Sequence, residues 1–158
     1  KVGFHFIGPY SKSNLTSTIP DGKNKLISFF KNQPNVFLYG KIESNKIPYF
    51  LKKMDVLLLC YLVAKYPKQL ENSHKLMEYF GSGRVVLASY TEEYKNNSEL
   101  LVMVDDNFKM EEKLKKIIDN LSYYNSKNLE YKRISFALDN TYKKQLEKIE
   151  SILKNTIY

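Results

Sequence analysis

The chain has 158 residues, 43% of them hydrophobic, which suits one folded domain with a real core. Its net charge is +8, yet 23 of its 25 basic residues are lysines mixed with Glu, Asp and Asn, not the Lys/Arg clusters with interleaved aromatics of a nucleic-acid binder. There is no apolar run near the roughly 20 residues of a membrane span, the first residues do not read as a signal peptide, and there is only one cysteine, so an internal disulfide is excluded.

The expectation is therefore a cytoplasmic protein without nucleic-acid partners. Residues 1–108 and 109–158 each carry a net +4, so the excess is denser toward the C-terminus. Solvated helix faces explain most of it. A weaker reading is peripheral contact with the anionic inner face of the cytoplasmic membrane.

In chain order, "VGFHFIG" (2–8) predicts a strand ending in Gly8-Pro9. A polar, turn-rich stretch follows. "KNKLISFFKNQ" (23–33) predicts a helix with Leu26, Phe29 and Phe30 inward. "NVFLYG" (35–40) predicts a second strand ending in Gly, and "IPYFLKKM" a short helix with Pro48 in its first turn. "DVLLLCY" (55–61) reads as a strand buried on both faces, with Cys60 as a core residue. After a loop come the helix "HKLMEYF" (74–80), the break "GSG" and the strand "RVVLAS". "TEEYKNN" predicts a short helix and "LLVMV" a last strand. From residue 109 onward three segments show apolar positions at helical spacing; Ile149, Ile152 and Leu153 form such a stripe in the last.

Strands alternating with helices imply an α/β fold: a Rossmann-like parallel sheet of about five strands, flanked by helices and closed by C-terminal helices. Ligands of such sheets bind beyond the C-terminal ends of the strands. The loops at Gly8-Pro9, at Gly40-Lys41 and after Tyr61 are thus expected to share one crevice.

The helix at 74 carries the sharpest chemical signal. Asn72 or Ser73 is a suitable N-cap. A capping box would need Glu or Gln three residues on, and Lys75 or Leu76 stands there instead. No acid follows until Glu78. Free amides, the positive end of the dipole, His74 and Lys75 together favour an anion, with a phosphate or diphosphate as the natural occupant. The competing reading is solvated His74 and Lys75 side chains. Glu78 suits sugar hydroxyls better than phosphate; otherwise it forms an intrahelical pair with Lys75. Gly81 or Gly83 is expected to cap the helix and allow close packing.

"SHKLMEYFGSGRVVLAS", preceded by "NVFLYGKIESNKIPYFLKKMDVLLLCY", resembles the C-terminal half of GT-B-fold glycosyltransferases of the retaining group 1 type, and among them the bacterial cell-surface polysaccharide transferases with Lys-x-x-Glu-Tyr. The resemblance covers Phe4 to about Tyr94. It implies an enzyme that moves a sugar from a nucleoside-diphosphate sugar, UDP or GDP linked, to an acceptor hydroxyl. It implies that Glu78 binds the ribose, that Asn72, Ser73, His74, Lys75 and Leu76 supply the diphosphate turn, and that Lys75 stabilises the leaving diphosphate. Gly40, Lys41 and Ile42 match the loop beside the base, and Gly8 and Pro9 the loop on the diphosphate side. The first glutamate of the family's Glu-x7-Glu would fall at Leu70; either neighbouring Glu71 supplies that contact or the chain lacks it. The resemblance also implies an N-terminally truncated donor-binding domain, inactive without its acceptor domain. With no Asp-x-Asp and only the adjacent pair Asp105-Asp106, no metal site is expected. The alternative is a non-catalytic nucleotide- or phosphate-binding module of the same architecture.

Overall fold

A computed structural model of the chain describes residues 1–9, 20–62, 65 and 73–157. They form two compact units, Lys1–Ile47 and Pro48–Tyr158, both α/β with parallel strands.

The first unit holds β1 (Phe4–Ile7), α1 (Pro20–Lys31) and β2 (Val36–Gly40). The strands pair in parallel, Phe4 opposite Val36, with a register shift between Phe6 and Ile7. The helix starts three residues earlier than its apolar pattern suggested, because Pro20 is well tolerated in a first turn. Its inward face also differs. Leu26 and Phe29 are 52% and 58% exposed. Ile27 and Phe30 are the half-buried pair, one turn apart, and Phe30 stacks on Phe6 at 4.7 Å. On a two-stranded layer, one helix covers only one narrow strip. His5 and Phe37 stack at 4.7 Å, and His5 Nδ1 shares a 2.9 Å hydrogen bond with the Tyr39 hydroxyl.

The second unit opens within α2 (Ile47–Leu51), whose first residue closes the first unit. It contains β3 (Val56–Leu59), α3 (His74–Ser82), β4 (Val85–Ser89) and β5 (Val102–Val104), then α4 (Met110–Asp119), α5 (Leu121–Tyr124), α6 (Lys127–Asp139) and α7 (Tyr142–Ile157). One-turn helices stand at Ser44–Lys46, Glu92–Tyr94 and Asn107–Lys109. The sheet order is β3-β4-β5, all parallel, with Leu57 opposite Val86 and Leu87 opposite Val102. Among the described residues, hydrogen bonds thus join the five expected strands into one pair and one triplet.

Position in the sheet decides burial. β4 is central and every residue of it is buried. Val85 and Leu87 meet Val104 and Ile117 of α4, while Val86 and Ala88 alternate to the other face; α3 also packs against β4. β3 is an outer strand of the triplet, and its residues alternate between half-buried and buried. Burial on both faces, expected of β3, is thus found in β4 instead. Cys60 is not a core residue. It lies past the last paired position of β3, Leu59, and is exposed. The surrounding protein still raises its thiol pKa by desolvation.

The "GSG" segment resolves into separate roles. α3 runs through Gly81 and Ser82, and Gly83 takes the left-handed cap at φ 79°, its amide donating to the Phe80 carbonyl at 2.9 Å. A Cβ there would meet Glu130 Cγ at 2.6 Å and Ile134 Cδ1 at 3.2 Å, both on α6. Buried Arg133 closes the same junction. Its Nη1 donates to the Gly83 carbonyl at 3.0 Å and its Nε to Leu100 at 2.9 Å. Burial lowers the guanidinium pKa to about 10. Phe80, Tyr94 and Phe136 pack edge to face beside it, at 5.6 to 6.1 Å between ring centroids.

Candidate functional site

In the first unit, Gly8 and Gly40 end neighbouring strands and touch directly. The Gly8 amide donates to the Gly40 carbonyl at 2.8 Å. Both have positive φ, 138° and 69°, so both turns need glycine. Pro9 and Lys41 are exposed and Ile42 is half-buried. Gly8 and Pro9 also line a cavity of about 300 Å³ with Phe6, Ile7, Phe30 and Leu38. Its described walls carry no charge, which suits a flat apolar group better than a diphosphate.

In the second unit, α3 forms as expected, with Ser73 as its N-cap in extended conformation (φ −71°, ψ 110°). The Ser73 side chain makes no capping hydrogen bond, and no acid stands in the first turn. The Leu76 amide donates to the Ser73 carbonyl at 3.0 Å. The amides of His74 and Lys75 are left without an intrahelical acceptor by helix geometry. The side chains divide by face. Leu76 is wholly buried and anchors the helix. His74, Lys75 and Glu78 are exposed. Lys75 and Glu78 form no ion pair with each other, so the intrahelical pairing weighed above is absent. The His74 ring lies 6.3 Å from that of Tyr142, the first residue of α7. Glu71 and Asn72 lie outside the described residues.

Several contributors were not legible in the sequence. The C-terminal ends of the triplet are fastened by Ser89 and Asn107. The Tyr61 amide donates to Ser89 Oγ at 3.0 Å, Ser89 Oγ donates to the Tyr61 carbonyl at 2.9 Å, and Asn107 Nδ2 donates to the same carbonyl at 2.8 Å. The chain leaving β3 is thus held before it turns toward α3. Tyr79, one residue past Glu78, has its hydroxyl at 3.5 Å from the Leu58 carbonyl. Its pKa is raised by burial first, then by the Glu78 charge. Thr91 is buried, and its Oγ1 has no hydrogen-bond partner among the described residues. Such contacts join residues far apart in the chain and leave no local pattern.

Asp105 and Asp106 are engaged in the turn that follows β5. Asp105 pairs with Lys109 at 3.0 Å, and the Asp106 side chain accepts from the Phe108 amide at 2.9 Å. The Lys109 ammonium holds the Asp105 pKa below its ordinary value. Asp55 precedes β3, at the strand's N-terminal end. A larger hollow, about 530 Å³, is lined by Asp139 at the end of α6 and by Lys144, Glu147, Lys148 and Ser151 of α7, and includes none of the candidate residues. At the α3 N-terminus, by contrast, charge, dipole and orphan amides agree. Comparison with known protein families, curated proteins and solved structures finds no match.

Proposed function

We propose that this chain is the donor-binding part of a glycosyltransferase that takes a nucleoside-diphosphate sugar and transfers the sugar to an acceptor hydroxyl in bacterial surface glycan synthesis. The observation that carries the reading is the N-terminus of α3: an N-cap without a side-chain bond, no acid in the first turn, and two exposed basic side chains there. Backbone amides and a positive dipole end attract a diphosphate. In transfer, the bond between sugar and diphosphate breaks and the diphosphate gains charge. Fixed amides and Lys75 would stabilise that charge by electrostatics. Glu78 stands one turn on and accepts hydrogen bonds from ribose hydroxyls. The likeness of Lys75–Tyr79 to the Lys-x-x-Glu-Tyr motif supports the same assignment.

The test is calorimetric titration and thermal unfolding with UDP, GDP and ADP. A nucleotide at a hundred times its Kd adds about 2.7 kcal/mol of stability. Lys75→Ala and Glu78→Ala each weaken binding about tenfold, the loss of one hydrogen bond involving a charged group. Both residues are exposed, so both variants keep the parent's melting temperature without ligand. No shift with any of the three nucleotides would refute the proposal for this chain.

A further inference from the structure

The last helix carries none of the site residues of that reading. α7 spans Tyr142–Ile157, and not one side chain from 142 to 155 is buried. Tyr142, Leu146, Ile149 and Leu153 repeat at intervals of four, three and four residues, so they form one stripe. They are 52% to 77% exposed. An isolated helix of this length is marginal in water, and an exposed stripe of this kind marks a contact surface.

The charges around the stripe indicate what covers it. At helical spacing Lys143 and Lys154 border one side and Lys148 the other. The helix carries four lysines against Glu147 and Glu150. Lys144 is paired with Glu147 at 3.6 Å on the polar face, and Glu150 is the acid nearest the stripe. A second copy fits poorly. Two such helices packed in parallel would oppose Lys143 and Lys154 of one to Lys148 of the other. An anionic lipid surface fits on both counts: the apolar side chains enter the headgroup boundary and the lysines meet lipid phosphates. No helix among the described residues is long and apolar enough to cross a membrane, so this one would lie in the interface plane.

We infer that α7 is an amphipathic membrane-surface helix that docks the chain on anionic lipid through Leu146, Ile149 and Leu153, with Lys143, Lys148 and Lys154 at its borders. The chain has no tryptophan, so a single one reports cleanly. Co-sedimentation uses the full chain with vesicles of phosphatidylcholine alone and of phosphatidylcholine mixed with phosphatidylglycerol. Binding is expected only to the mixed vesicles, weakening as salt is raised. The fluorescence of Leu146→Trp shifts to the blue on mixed vesicles, while that of Tyr123→Trp in α5 does not. Ile149→Glu with Leu153→Glu weakens binding on the order of tenfold or more. So does Lys143→Glu with Lys154→Glu, which leaves the stripe intact. No binding to mixed vesicles, binding unchanged by both double variants, or an unshifted Leu146→Trp signal would each overturn the inference. So would a dimer in solution that Ile149→Glu with Leu153→Glu dissolves, which would give the stripe to a second copy.

Discussion

The two glycines flanking Ser82 look alike in sequence and differ in kind. Gly81 is an exposed residue inside α3, and a Cβ there would meet only Ala137 Cβ at 4.0 Å. Gly83 is left-handed and faces Glu130 and Ile134 at close range. Gly83→Ala is expected to cost about 1–3 kcal/mol, from the left-handed backbone plus the displacement of the Glu130 side chain. Gly81→Ala should instead stabilise by up to about 1 kcal/mol, because it removes backbone entropy from a helix interior. Urea unfolding of both variants measures the contrast. Equal effects of the same sign would show that the αL cap and the α6 contact do not govern this junction.

For whole elements, α3 matters because it presents one face to solvent and fixes the other. Leu76 and Phe80 are wholly buried, and α6 is its principal neighbour. Arg133 joins three elements at once: it sits on α6, bonds the cap of α3 and bonds the turn before β5. Arg133→Ala would leave the carbonyls of Gly83 and Leu100 buried without those donors. The expected loss is about 3 kcal/mol, seen as a lower urea midpoint with an unchanged slope. Arg133 lies far along the chain from the start of α3, on α6, yet it fixes the helix that carries Lys75 and Glu78. Nothing in the local sequence distinguishes it from a surface arginine.

For the molecule as a whole, the core is unevenly divided. Every buried hydrophobic residue among those described falls in the second unit, from Leu51 to Ile117. The first unit has half-buried apolar side chains and a stacked aromatic face. Local stability follows buried contact. In hydrogen exchange, the amides of β4 should therefore exchange at the rate of global unfolding, and those of β1 and β2 faster. Equal protection of the two regions would contradict this. Net charge also belongs at this scale: the +8 favours anionic partners, whether diphosphate or lipid, without selecting one.

Element type was legible in the sequence wherever the apolar pattern was strong. The five strands, α3 and the three long C-terminal helices lie within a few residues of the expected bounds, and α3 begins at His74 as read. So were the Ser73 cap and the acid-free first turn at its start, since cap position and residue type are local properties. Tertiary structure alone decided what each face meets. Leu26 and Phe29 turned outward because a two-stranded layer gives α1 little to cover. β3 and β4 have similar apolar runs, and only the sheet order makes one outer and the other central. Cys60 left the core because pairing ends at Leu59. The clamps made by Arg133, Ser89 and Asn107 bridge 28 to 50 residues of sequence. Periodicity tells which residues share a face; which neighbour covers that face depends on contacts between distant segments, and those are set only when the chain folds.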